Sequence, residues 1–215
     1  MKRTTWLTIG SAWLAAFLAA CGAPQKPAPP PVVVKSSLEL TAQPAPPAPT
    51  RDPALRQIDP ARDAAKLERI EACRAKLPAE NRSRNNFAWA EAEIAGLDKA
   101  EYFAHSGIQD LSGLSTEAAA AIAGISLKPA PGAARFRTLC VNQNDVPEGA
   151  DCWQRDVDTE FKILEDVAAR LPDPAAAGRI CLFTELYPCT SCWNVMKQFL
   201  AAYPNVELEV LYRTP

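Results

Sequence analysis

Two cysteines three residues apart, Cys189 and Cys192 in the run Pro188-Cys189-Thr190-Ser191-Cys192, are the side chains of this sequence best placed to do chemistry. They follow the apolar stretch Arg179-Ile180-Cys181-Leu182-Phe183-Thr184, which is of buried-strand type. They precede Trp193, Val195, Met196, Phe199 and Leu200, apolar residues at helical spacing. Both thiols therefore fall on the first turn of a helix, where backbone amides and the helix dipole stabilise thiolates. Thiolates are the form that binds zinc. The same spacing serves redox pairs, and an exported protein meets oxidising conditions. A thioredoxin-like domain, however, carries its motif early and needs several strands and a helix after it. Only 23 residues follow Cys192, enough for one helix and one strand. A structural zinc ribbon would need a second closely spaced cysteine pair, which the sequence lacks. About thirty residues upstream stands Asp158-Thr159-Glu160, at the start of an amphipathic stretch. Acidic residues there usually serve as caps or meet the positive pole of the helix. Here their weight comes from position, because the gap to Cys189 holds one helix and one strand.

The elements that must position these groups can be read outward from them. Phe161, Leu164, Val167, Ala168 and Leu171 mark the amphipathic helix, and Val206 to Tyr212 alternates as a final strand. The last sixty residues are thus helix, strand, helix, strand, an alternation that argues for strands backed by crossover helices. Upstream, Leu67, Ile70, Cys73 and Leu77 predict a helix ending near Leu77-Pro78. Asn86 to Ile94 reads as a strand, although its alanines are also compatible with helix, and Glu101 to His105 as a second, shorter one. Ser115 to Ile122 predicts a short helix. Lys128 to Gln154 reads as loop, interrupted by a strand at Phe136 to Val141. The folded domain is expected over 61–215.

The beginning of the chain has a different character. Lys2 and Arg3 precede an uncharged apolar stretch from Trp6 to Ala20, too short for a comfortable membrane span. It closes on Leu18-Ala19-Ala20-Cys21, which resembles the lipobox of bacterial lipoproteins. That resemblance implies a signal peptide over 1–20, lipid attachment at Cys21 and anchoring in the bacterial cell envelope. Gly22 follows where an aspartate would suggest inner-membrane retention, so the outer membrane is expected. Residues 21–60 carry eleven prolines, from Pro24 to Pro60. Proline lacks an amide proton and fixes φ, so this segment is expected to be a semi-rigid tether. At about 3.1 Å per residue it reaches on the order of 100 Å. The net charge of −2 lacks the basic surplus of proteins that grip duplex nucleic acid through its phosphates.

The spacing of the acidic and cysteine motifs matches the zinc-deaminase signature H-x-E…P-C-x-x-C. From Asp156 to Tyr212 the chain resembles the bacterial polymorphic-toxin branch of the cytidine deaminase-like superfamily. The likeness runs through Val157-Asp158-Thr159-Glu160-Phe161-Lys162-Ile163-Leu164 and Leu182-Phe183-Thr184-Glu185-Leu186-Tyr187-Pro188-Cys189-Thr190-Ser191-Cys192. It continues in Gln198-Phe199 and Tyr203-Pro204-Asn205-Val206. The resemblance implies an α/β three-layer fold, a central mixed sheet with helices on both faces. It implies zinc held by Asp158, Cys189 and Cys192, with Glu160 as general acid/base. Asn86-Phe87-Ala88 and Ala104-His105-Ser106-Gly107 are similar to the opening β-hairpin of that superfamily, which places Asn86, His105 and Ser106 at a substrate pocket. The departure is Asp158, where histidine is commonest; a carboxylate ligates zinc, but its extra charge should make a bound water less acidic. The implied reaction is hydrolytic deamination of a nucleobase, in a nucleotide or single-stranded nucleic acid, with cytosine favoured over adenine. An exported toxin of this kind would be paired with an immunity protein. A lipoprotein faces few nucleic acids, so the other reading is a non-enzymatic envelope protein with a degenerate deaminase fold, serving binding or secretion. Of the remaining cysteines, Cys140 and Cys152 are the favoured disulfide, because the bridge would staple the loop before the helix of Asp158. Trp153 is open to stacking on a base or to a core or lid role.

Overall fold

The computed structural model describes residues 51–214. The expected signal peptide, the expected lipid attachment at Cys21 and the stretch up to residue 50 read as tether lie outside them. A five-stranded mixed sheet has the order β1-β7-β6-β2-β3, built from β1 (Ala54–Gln57), β2 (Phe87–Ile94), β3 (Glu101–His105), β6 (Gly178–Leu186) and β7 (Val206–Thr214). β1, β7 and β6 run parallel, whereas β2 is antiparallel to both β6 and β3. Helices α3 (Thr159–Arg170) and α4 (Thr190–Ala202) are the crossovers of the final helix-strand-helix-strand run. Helix α1 (Ala64–Ala75) and the short α2 (Thr116–Ala121) are the other α-helices of the described residues, and β4 (Cys140–Val141) pairs with β5 (Trp153–Gln154) in a separate small hairpin.

Each face of the sheet has its own core. On one, Ala88, Ala90 and Ala92 of β2 pack with Leu182, Val210, Leu164, Val167, Val195 and Phe199. On the other, Phe87, Trp89, Phe103, Phe183 and Leu211 meet Ile70, Cys73 and Leu77. Alternation along β2 therefore sends alanines to the α3/α4 face and large aromatics to the α1 face. Small side chains let α3 approach the sheet closely. This settles the strand-or-helix ambiguity of that segment: it is a central strand buried on both faces. The architecture is the three-layer α/β arrangement expected. Gly178 marks a tight point of the sheet, since a Cβ there would lie 2.2 Å from the Glu93 carbonyl oxygen of the paired strand.

Two local expectations change. Ala54–Gln57, inside the stretch read as tether, is a parallel edge strand on β7, so the ordered fold starts before Ala61. Pro53 and Pro60 leave six proline-free residues between them, and an edge position tolerates neighbouring proline. Buried Asp63 then ties the strand to α1 by accepting two hydrogen bonds from Arg56, at 2.6 and 2.8 Å. The strand read over Phe136 to Val141 forms a ladder only at Cys140–Val141. Ahead of it, the backbone N–H groups of Phe136 and Leu139 are satisfied by Glu165 and Ser191 side chains, at 2.7 and 2.9 Å, instead of by a partner strand. Cys140 and Cys152 form a disulfide that closes the β4–β5 hairpin. Among the described residues, no helix is long and apolar enough to cross a membrane.

Candidate active site

The first turns of α3 and α4 lie side by side, and each carries part of one cluster. Asp158 is the N-cap of α3, in extended backbone conformation, yet its side chain makes no capping hydrogen bond. Its Oδ2 instead lies 3.4 Å from Cys189 Sγ and 3.3 Å from Cys192 Sγ. Cys189 is the N-cap of α4, and its Sγ accepts from the Cys192 backbone N–H at 3.4 Å. The two sulfurs are 3.3 Å apart. One oxygen and two sulfurs thus converge where two helix N-termini present positive ends. A carboxylate that forgoes its own cap to meet two thiols is arranged for something other than capping.

The donor set fits zinc. Tetrahedral bonds of about 2.3 Å to sulfur and 2.0–2.2 Å to oxygen place donors roughly 3.5–3.8 Å apart, close to the separations seen. Hydrogen bonding with Cys189 and burial push the Cys192 thiol well above its ordinary range. A divalent cation among the three donors removes that penalty. Three protein ligands with one side open to a cleft is the pattern of catalytic rather than structural sites.

The cleft, about 390 Å³, is lined by Asp158, Cys189, Cys192, Glu160, Asn86 and Ser106, with Asn85, Arg155, Leu186 and Tyr187 at its margins. Glu160 is 2 % exposed. Burial, and then the neighbouring Asp158, raise its carboxyl above the usual carboxylate range. Its Oε2 accepts a hydrogen bond from Thr159 Oγ1 at 2.8 Å. Asn86 Nδ2 in turn donates to Thr159 Oγ1 at 2.8 Å and to Thr184 Oγ1 at 2.9 Å. The two amide protons of Asn86 are therefore spent on threonine hydroxyls, and its Oδ1 faces the Leu186 N–H at 3.4 Å. Asn86 joins the cleft as a strut under the glutamate. Ser106 accepts from the Asn86 backbone N–H at 3.0 Å and holds the hairpin mouth closed.

His105 does not line the cleft. Its ring is fully buried, with Nε2 2.8 Å from the Arg84 carbonyl and Nδ1 accepting from Gly107 N–H at 3.2 Å. Burial lowers its basicity; with one nitrogen donating and the other accepting, it is a neutral imidazole that shapes the turn after β3. The same turn is gripped by Lys162, buried in α3, whose ammonium donates to the His105 and Ile108 carbonyls at 2.9 and 2.7 Å. Trp153 is 44 % exposed, neither core nor cleft lining, with the Arg155 guanidinium 4.7 Å over its ring.

The sequence alone does not mark Thr159, Thr184, Arg155, Leu186 and Tyr187 as part of the cleft or its support. Thr159 stands between Asp158 and Glu160 and Tyr187 two residues before Cys189, so proximity to the motifs was the available signal. Thr184 and Asn86 come together only through the β2–β6 register, which pairs Ala88 with Thr184.

No curated protein and no solved structure matches the chain. The Toxin-deaminase family model, described as the BURPS668_1122 family of deaminases, matches residues 70–214. That span carries Asn86, Asp158, Glu160, Cys189 and Cys192, and the chain belongs to this family of deaminase toxins.

Proposed function

We propose that the domain is a zinc-dependent hydrolytic deaminase acting on a nucleobase, presented in a nucleotide or a single-stranded nucleic acid, with cytosine preferred over adenine. The observation that carries this reading is the convergence of Asp158, Cys189 and Cys192 within one cluster whose ligand atoms all lie within 4.8 Å of one another, beside a buried glutamate opening on the same cleft. Hydrolytic deamination consumes one water, replaces the exocyclic amine by a carbonyl oxygen and releases ammonia. Asp158, Cys189 and Cys192 would hold the zinc, which when bound would supply Lewis acidity to make a water nucleophilic near neutral pH. Glu160 moves the protons: as a carboxylate it can accept one from the attacking water and pass it to the ring nitrogen, then carry the second from the new hydroxyl to the amine, which leaves as ammonia. A carboxyl raised by burial suits both directions of transfer. Thr159 and Asn86 hold that carboxyl in one orientation. The half-exposed Leu186 and Tyr187 at the margin offer flat apolar surface on which neighbouring bases can stack.

Lipid attachment at Cys21, envelope localisation before delivery and an immunity partner belong to the same proposal. They are supported by the lipobox-like ending and by the toxin family. Expression of residues 21–215 in the cytosol of a test bacterium examines the enzyme. The expected result is growth inhibition and C-to-U or C-to-T changes, abolished by Glu160→Gln. A folded, zinc-loaded protein that changes no base would replace this reading with a non-enzymatic envelope role.

A further inference from the structure

The cleft contains a cation that the reaction above leaves without a task. Arg155 lies three residues before Asp158, and its Nε is 3.6 Å from Asp158 Oδ2. That oxygen is the one in contact with both cysteine sulfurs. The Arg155 backbone N–H donates to the Leu139 carbonyl at 3.1 Å and its carbonyl accepts from Asp158 N–H at 3.3 Å, so the residue is clamped between the segment leading into β4 and the start of α3. Its guanidinium is stacked on Trp153. Its Nε is buried and has no hydrogen-bond partner. A buried donor left in this way costs free energy unless something else compensates it. What it faces is charge.

The charge of the metal centre explains the need. Zinc with one histidine and two thiolates is neutral. With Asp158 in place of histidine, three anionic donors surround a dication and leave one negative charge in a mostly buried place, where such an excess is costly. A guanidinium is permanently charged, and at this distance it offsets the surplus. We propose that Arg155 is the counter-charge of the metal centre, the residue that lets a carboxylate occupy the first ligand position without leaving the site anionic. The inference rests on the zinc reading. It assigns Arg155 a positioning and electrostatic role through Asp158, not contact with the substrate.

A double-mutant cycle on zinc affinity tests it. The full chain carrying Cys21→Ser, reduced only as far as its 140–152 disulfide survives, is titrated with zinc against a chromophoric chelator. Cys189→Ser reports background binding by other thiols. Arg155→Gln should weaken zinc binding roughly ten- to hundredfold, the usual cost of removing an outer partner of a ligand. Arg155→Lys, which keeps the charge, should stay within about threefold, against that same range. In the Asp158→His background, Arg155→Gln should cost almost nothing, because that site is neutral without the arginine. Equal losses in both backgrounds, or no loss in either, overturn the proposal and leave the zinc site standing. A chain whose zinc titration is indistinguishable from that of Cys189→Ser overturns the metal reading itself, and the counter-charge with it. Unfolding curves of the metal-free variants separate these outcomes from simple misfolding, since a charge effect on the metal leaves the metal-free chain's stability nearly unchanged.

Discussion

Removing the carboxylate of Asp63 should unfasten β1 from α1, and the cost follows from its hydrogen bonds. The Asp63 side chain is 1 % exposed and pairs with Arg56, whose Nε also donates to Glu209 of β7 at 2.7 Å. The Arg56 hydrogen bonds, working against burial and joined by the Asp59 N–H, pull the Asp63 carboxyl down to about 2. Against an ordinary carboxyl near 3.8, at about 1.36 kcal/mol per pH unit, the pair contributes roughly 2 kcal/mol at neutral pH. Because the folded value lies below the unfolded one, this stability is fully present above about pH 4–5 and is lost as pH falls toward 2. At pH 3 about half should remain. Asp63→Asn should therefore lower the unfolding free energy by about 2 kcal/mol at pH 7, or about 4–8 °C in Tm for a domain of this size. The gap between variant and parent should narrow by about half at pH 3. Urea melts at pH 7, 5 and 3 measure it. A variant as stable as the parent at pH 7, or a deficit unchanged from pH 7 to pH 3, would refute the reasoning. The same result would return β1 to the tether, where the proline pattern alone put it.

Two further outcomes follow from the site. Thr159→Val keeps the shape of the side chain but removes the hydroxyl between Asn86 and Glu160; kcat for deamination should fall about tenfold to a hundredfold, a charge-assisted hydrogen bond being worth roughly 1.5–3 kcal/mol. KM and zinc stoichiometry should hold, and Thr159→Ser should recover most of the rate; a KM effect alone would show that Thr159 meets substrate instead. Replacing both Cys140 and Cys152 by serine frees a loop with a sequence separation of 12, and the chain-entropy cost is about 3 kcal/mol. The loss should extend to α4, because Asp145 of that hairpin accepts from the Thr190 N–H at 2.8 Å, next to Cys189; unchanged hydrogen exchange at Thr190 in the double variant would show that the hairpin does not support the turn that carries Cys189.

What the sequence determined by itself was the local chemistry. Apolar spacing placed α3, β6, α4 and β7 within a residue or two, because amphipathic periods are set by each segment's own side chains. It also set the candidate ligand groups on two helix starts, since each motif sits immediately before its own apolar run. Tertiary structure alone decided how those pieces meet. Nothing in Asp158-Thr159-Glu160 distinguishes a cap from a ligand; only the tertiary structure, in which α4 brings two sulfurs to one oxygen of Asp158, supplies the grouping on which the zinc proposal rests. Asn86 could be read as a substrate contact until the β2–β6 register spent its amide on Thr159 and Thr184. His105 could be read as a pocket residue until burial used both its nitrogens. β1 was hidden because a four-residue edge strand has no periodicity of its own. It acquires its backbone partners from β7, more than 150 residues later in the chain, and hydrogen bonds of that separation are a property of the fold, not of the segment.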